Sequence, residues 1–313
     1  MGFSLSAAVN IKETDLTNTV PAVSTSIGAL VGNFEWGPVK ERTQIDSEST
    51  LVRRFGLPTD SNYEDWFSAS NFLSYANNLE MIRVVGSGAL NSGDVAGVLV
   101  ENLVDFDANI AVIEATTNSF VGKYPGVFGN KIIVSVADAA SFSGWTYEND
   151  FDYAPTGNEF WMVVLYDGNI VEKFTLNRDA GSKDFNGNSN YAPEMVNRTS
   201  TYVYLVAANL ITYTGQTPDP ITGDYTLILA VDDAPIDADR QIGYDLFANP
   251  EEVDVNLLMQ AGGSKLVGLY MKDNIADVRK DLVAFLSPEK VDVVGVADPV
   301  TAAIVTRNSY GSS

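Results

Sequence analysis

The hydrophobic period changes twice along this chain, and that change limits the fold more than any single motif. Ser26 to Phe34 reads as a strand interrupted by Gly28 and Gly32, closed by the breaker Gly37-Pro38. Asp46 or Ser47 is placed to cap a short helix whose Leu51, Val52 and Phe55 share a face, with Gly56 and Pro58 stopping it. Ser61 and Glu64 have the capping-box spacing and open a second helix carrying Tyr63, Trp66, Phe67, Ser70 and Leu73. Met81 to Val85 is a β-branched strand signal, so the order is β, α, α, β.

After Gly86 the period shortens toward two. Lys131 to Val136 reads as a strand, and Asp167-Gly168 between Phe160–Tyr166 and Ile170–Leu176 is a hairpin signal. Tyr202 to Leu205 and Tyr225 to Val231 are further strand candidates. An α/β period then returns. Val253 to Met259 reads as a strand, followed by the loop Gly262-Gly263-Ser264. Asn274 is placed to cap a helix bearing Ile275, Val278, Leu282, Val283 and Leu286, and Val291 to Val296 reads as the next strand. The expected fold class is α/β with an inserted mainly-β domain, multidomain and discontinuous. Residues 1–20 form an extended N-terminal arm and 21–86 the first part of the α/β domain. Residues 87–195 form the inserted, protruding β-rich domain. Residues 196–247 are a linking or second inserted region, and 248–313 the second, incomplete part of the α/β domain. The sheet begun near the end is completed by residues 26–86 or by residues beyond the chain.

Composition narrows the function. With 19 basic and 41 acidic residues the net charge is −22, the wrong sign for displacing counterions from nucleic-acid phosphates or for an anionic membrane surface. Histidine and cysteine are both absent, which removes the Ser-His-Asp triad, Cys-His nucleophiles, thiolate zinc sites and disulfides. Met1 to Asn10 lacks the positive and apolar regions of a signal peptide, and runs such as Trp161 to Tyr166 are too short to span a bilayer.

The remaining motifs have ordinary readings. Gly262-Gly263-Ser264-Lys265 lacks the Gly-Lys-Ser/Thr order of a phosphate loop and reads as a strand-to-helix loop. Asp232, Asp233, Asp237 and Asp239, like Glu148, Asp150 and Asp152, lack calcium-loop spacing and read as solvated acidic loops. Trp36, Trp66, Phe67 and Phe72 read as core rather than as a stacking platform for sugars or bases, and Asn197-Arg198-Thr199 as a chance glycosylation pattern. With so many acids, carboxylate pairs arise by chance, and no motif singles one out for glycoside hydrolysis. No residue is assigned a catalytic, cofactor-binding or metal role. The first twenty residues read either as a disordered terminus or as a strand that joins a neighbour's sheet.

Several stretches together resemble contractile tail sheath proteins of myovirus-type bacteriophages. They are Val9-Asn10-Ile11-Lys12-Glu13-Thr14; Ala29-Leu30-Val31-Gly32-Asn33-Phe34-Glu35-Trp36-Gly37-Pro38-Val39, the most specific; Leu51 to Pro58; Asp65 to Leu73; and Arg83-Val84-Val85. Lys123-Tyr124-Pro125-Gly126-Val127-Phe128-Gly129-Asn130 is similar to the family's Tyr-Pro-Gly-x-x-Gly-Asn segment. Lys183-Asp184 with Gly187 and Tyr191, Tyr244 to Phe247, and Val253 to Leu258 continue the resemblance in register to about residue 300.

The resemblance implies a structural subunit and not an enzyme, with no cofactor. It implies stacked hexameric rings of copies around a tail tube, contracting to drive the tube through the host envelope. The implied partners are other copies, the tail tube protein, and baseplate and tail terminator proteins, without direct nucleic acid or membrane contact. The implied place is the virion tail, assembled in the host bacterial cytoplasm. Family members continue well beyond this length, so the resemblance implies an N-terminal portion. A sheath subunit of a related contractile injection system or phage-tail-like bacteriocin is the alternative. A carboxylate-based hydrolase or a carbohydrate-binding phage protein is the reading from another class.

Overall fold

The computed structural model describes residues 26–207 and 222–311. The N-terminal arm of the sequence reading therefore lies outside the described residues. The described strands are β1 Gly28–Gly32, β2 Arg42–Ile45, β3 Leu79–Arg83, β4 Phe120–Gly122, β5 Ile132–Asp138, β6 Glu159–Tyr166, β7 Asn169–Asn177, β8 Val203–Leu205, β9 Gly223–Thr226, β10 Leu257–Met259 and β11 Val283–Phe285. The described α-helices include α1 Glu48–Phe55, α2 Tyr63–Leu73, α3 Leu103–Ala108, α4 Ile110–Glu114, α5 Ala192–Thr199, α6 Asp237–Asp245, α7 Lys265–Tyr270, α8 Asp277–Arg279, α9 Lys290–Val293 and α10 Pro299–Ser309.

The two α/β stretches share one sheet, ordered β11-β10-β1-β3-β2. It is parallel except for β2, which runs antiparallel to β3. Residues 28–83 thus supply the neighbours that β10 and β11 require. Alternation on β1 feeds two cores. Leu30 packs with Leu51, Phe55, Trp66 and Ala69 of α1 and α2. Ala29 and Val31 face Tyr244 of α6 and Val267 of α7. Each fully buried large apolar side chain contributes about 1.5–3 kcal/mol, so both layers are needed to fix a sheet this short. Local signals set α1. Ser47 accepts from the Thr50 N–H at 3.3 Å, Glu48 and Arg53/Arg54 sit at the favourable ends of the helix dipole, and Gly56 leaves the helix at φ 81°.

Several boundaries depart from the sequence reading. Ser61 does not cap α2. Asn62 holds the N-cap position without a side-chain bond to the helix, and Ser61 pairs instead with the Thr59 hydroxyl. Strand β2 had no strong apolar signal because three of its four residues, Arg42, Thr43 and Gln44, are not buried. Asn274 caps nothing. The helical run starts at Lys265 behind the Ser264 cap, passes through a π turn at Met271–Ala276 and ends at Lys280, whose φ is 63°. Val283 lies on β11, and Val291, read as strand, lies on α9. Both errors arise because a short apolar run fits either period. Phe67 is about half exposed (50%), whereas Trp66 is buried.

The second sheet is antiparallel, ordered β7-β6-β5-β9. Its β6–β7 hairpin turns at Asp167 (φ 49°) and Gly168 (φ 79°), the two left-handed positions that match strand twist. Val134, Val136, Phe160, Met162 and Val164 point to a core closed by Val196 of α5, Val203 and Leu205 of β8, and Trp36. The other face is covered as well. There the segment between β5 and β6 lies as a strap, with Trp145 Nε1 donating to Ser135 Oγ at 2.8 Å and Trp161 Nε1 to the Tyr153 carbonyl at 2.8 Å. A smaller unit pairs β4 with β8 and packs Val121 and Tyr204 against Phe106 of α3 and Ile113 of α4. The stretch 87–195 therefore holds α3, α4 and the start of α5 besides its strands.

Candidate functional site

Connections leave β1 toward β3 on one side and return to β10 on the other, so a switch point lies between β1 and β10. In open α/β sheets the crevice beyond the strand ends at such a point is where ligands bind. Here the chain's own side chains fill it. Asp65, near the start of α2, and Arg240 of α6 come from opposite faces and meet over the ends of β1 and β10. Arg240 Nη1 and Nη2 donate to Asp65 Oδ1 and Oδ2 at 3.1 and 2.7 Å, and Nη1 also reaches the Val31 carbonyl at 3.2 Å. The same carboxylate accepts the backbone N–H groups of Asn33 and Gly262, each at 2.8 Å. Burial disfavours the Arg240 charge, but the adjacent Asp65 carboxylate outweighs it and raises the Arg240 pKa.

The Gly262-Gly263-Ser264-Lys265 loop sits at this crevice as an ordinary strand-to-helix connection. Ser264 Oγ accepts from Leu266 and Val267, and Glu289 takes the Lys265 N–H at 2.7 Å. Positions at a helix start that would favour an anion therefore already hold a carboxylate and a hydroxyl. What remains outside is a polar cleft of about 560 Å3 lined by Glu64, Asp237, Arg240, Ser264, Glu289 and Lys290.

The second concentration of polar contacts lies where the two sheets meet. Arg83 ends β3 and is 1% exposed. Its guanidinium donates to the carbonyls of Phe34 (2.7 Å), Gly37 (3.0 Å), Glu35 (3.3 Å) and Pro125 (2.7 Å). Burial pushes its pKa down to about 10, against the pull of Asp232, Tyr124 and Glu35, so it remains charged at neutral pH. One side chain thus ties the turn around Trp36 to the Tyr124-Pro125-Gly126 segment.

That segment is pinned along its length. Asn130 pairs with Ala230 through both amide atoms, at 3.1 and 2.8 Å. Lys123 Nζ donates to the Asn197 carbonyl at 2.6 Å and lies 4.0 Å from the Tyr204 ring centroid. Burial depresses the Lys123 pKa to about 8. Gly126 has φ 120°, and a Cβ there would meet Asp232 Oδ1 at 2.9 Å and the Glu35 carbonyl at 3.2 Å.

The acidic loop works as stitching. Asp232 accepts the Val127 N–H at 2.8 Å and Asp233 the Gly88 N–H at 2.8 Å, while Asp239 takes the Ile236 N–H at 3.0 Å at the start of α6. Glu148 accepts the Gly144 N–H at 2.7 Å, and Asp150 and Asp152 are exposed. Among the described residues no three acids gather as metal ligands do. Trp36, Trp66 and Phe72 pack in or against cores, and Asn197 is held by both backbone groups of Leu205. Sequence reasoning did not single out Asp65 or Arg240. An isolated Asp and an isolated Arg 175 positions apart form no motif. Arg83 was noticed only as part of a familiar strand.

Fold and site together define an α/β protein of several sheets whose polar side chains are spent on joining its own segments. Among known proteins it is similar to tail sheath proteins. It is 37% identical over 168 residues to the tail sheath protein of Salmonella phage ViI, covering 52% of this chain and 26% of that protein. It is 23% identical over an alignment of 429 residues to the tail sheath protein of Enterobacteria phage T4, covering 96% of this chain and 64% of that protein. The chain thus spans less than two thirds of the length of these relatives. A solved sheath tail protein from Listeria innocua matches with a TM-score of 0.51 at 12% identity, covering 92% of this chain and 57% of that one, a likeness of fold. No family model matches the chain. The resemblance read from the sequence is borne out.

Proposed function

We propose that this chain is part of a structural subunit of a contractile phage tail sheath. Such a subunit polymerises around the tail tube and shortens to drive the tube through the host envelope. The observation that carries this is the similarity to a phage tail sheath protein over nearly the whole chain (96%). The filled switch-point crevice supports it, because work in such an assembly comes from subunit contacts and requires no bound nucleotide. The five-stranded sheet is read as the body of the subunit and residues 87–195 as an inserted, protruding part. Other copies, the tube, the baseplate and the tail terminator are the partners. The virion tail is the place of action, after assembly in the host cytoplasm.

The test is made in the phage. Deleting the reading frame is expected to give particles with bare tail tubes that adsorb but do not inject, as seen by negative-stain microscopy and a plaque assay. Antibodies to the chain are expected to decorate wild-type tails along their length. Decoration confined to capsids or fibres, or normal sheaths after deletion, overturns the reading. Removing residues 1–20 from the full protein is expected to leave folded subunits that fail to build stable sheaths. Normal polymerisation would reject the arm as a connector.

A further inference from the structure

A cleft of about 410 Å3 opens where the two sheets meet. Its lining includes Trp36, Tyr124, Phe128 and Tyr202 with Arg53 and Arg54, and no carboxylate. The rings are set by their neighbours. Trp36 lies 5.3 Å from Tyr124 and 4.6 Å from Phe128, which stacks on Tyr166 at 4.2 Å. Both arginines are exposed in the last turn of α1, and neither forms an ion pair with a described residue. The nearby Glu35 and Glu172 are turned to the backbone N–H groups of Leu57 (3.3 Å) and Thr201 (2.8 Å). In a chain of net charge −22 this is an aromatic recess with rigid walls and an arginine pair on its α1 rim, while Glu41 acts on Tyr124 from another side. Such residue types dominate protein–protein binding energy, and rigid walls lower the entropy lost on docking.

The chain also carries a segment of matching chemistry. The strap reads Tyr147-Glu148-Asn149-Asp150-Phe151-Asp152-Tyr153. Asp150 and Asp152 are exposed, and Tyr153 is 59% exposed. Phe151 is stacked on Trp145 and Trp161 at 5.7 and 6.0 Å, which holds the strap in place. The strap covers the face of the second sheet that bears Ser135, whereas Trp36 joins the core on the face of Val134 and Val136. The sheet stands between recess and strap, so one molecule cannot close the contact on itself. A surface on one face and its complement on the other makes a heterologous, head-to-tail contact, the type that builds rings and helical polymers.

We propose that the recess of one copy takes the acidic strap of a second copy, with Arg53 and Arg54 meeting Asp150 and Asp152. This deepens the sheath reading and rests on it. The test uses the 313-residue chain and sedimentation velocity across a concentration series. Wild type is expected to self-associate and to weaken as salt screens the pairs. Arg53→Glu/Arg54→Glu and Asp150→Lys/Asp152→Lys are each expected to weaken association at least about tenfold, a loss of roughly 1.4 kcal/mol. A chain carrying all four changes is expected to regain association. Circular dichroism checks that each variant folds, and Arg53→Gln/Arg54→Gln provides a milder form of the first variant. Either charge-reversed pair associating like wild type, or no recovery in the fourfold chain, overturns this contact. If the phage deletion still yields bare tubes, the sheath reading survives that failure.

Discussion

Two buried cations show what single residues do here. Arg83 satisfies four carbonyls from two segments. Replacing it leaves those groups buried without a donor. Arg83→Met is therefore expected to cost at least about 3 kcal/mol, because bonds from a charged donor are each worth roughly 1.5–3. Urea unfolding measures this, and a loss below about 1 kcal/mol would refute the pinning role. Lys123 acts through pH. Its folded pKa is pushed from 10.5 down to about 8 by burial. Below that value both states hold the proton and the burial penalty is fully present. Between the folded and unfolded values only the unfolded state holds it, so stability rises with pH. The gain from this group between about pH 7 and about pH 9.5 is about 2 kcal/mol. Lys123→Met is expected to abolish that rise in paired urea titrations. An unchanged slope would remove Lys123 as its source. Tyr124 and Tyr166, each pushed up to about 12 by burial, act in the opposite sense above pH 10, where the folded state alone keeps their protons.

At the scale of elements, the Asp65–Arg240 pair joins α2, α6 and the ends of β1 and β10. Breaking one partner strands a buried charge. Asp65→Leu alone is expected to cost about 3–5 kcal/mol. The double change Asp65→Leu/Arg240→Met is expected to recover much of that, because replacing a whole buried ion pair by apolar groups is often neutral. A double-mutant cycle by urea unfolding gives the coupling, and additive losses would mean the two side chains act independently. Much of the elements themselves was legible. The α1 cap at Ser47, the Gly56 stop and the Asp167-Gly168 hairpin are written in neighbouring residues. The stretch 274–296 was misread because Ile275, Val278, Leu282 and Val283 satisfy a helical spacing across a break. That break is Lys280 in a left-handed conformation, which no local residue type announced.

At the scale of the molecule, a net charge of −22 sets a background of self-repulsion that salt relieves. Raising sodium chloride from about 0.02 M to about 0.3 M is expected to raise the melting temperature by several degrees, as counterions shorten the range of repulsion. Calorimetry checks this, and a fall in melting temperature would show that attractive surface pairs dominate. The connection between sheets is the other whole-molecule feature. Trp36 leaves the first sheet's turn, enters the second sheet's core and donates to the Thr201 carbonyl at 3.3 Å. It was expected in a core, and alternation gave no sign of which one.

Sequence alone determined the properties that depend on near neighbours or on totals: the alternation of α/β and β-rich stretches, the Ser47 cap and the Asp167-Gly168 turn, the acidity, and the absence of thiol and imidazole chemistry. Tertiary structure decided between the two completions that the sequence left open, placing residues 28–83 and 257–285 in one sheet. It also decided that the switch-point crevice is closed by Asp65 and Arg240, and that Arg83 joins two segments. Those outcomes depend on groups far apart in the chain becoming adjacent, and a buried charge takes its role from whatever carbonyls and carboxylates the fold brings within hydrogen-bonding reach.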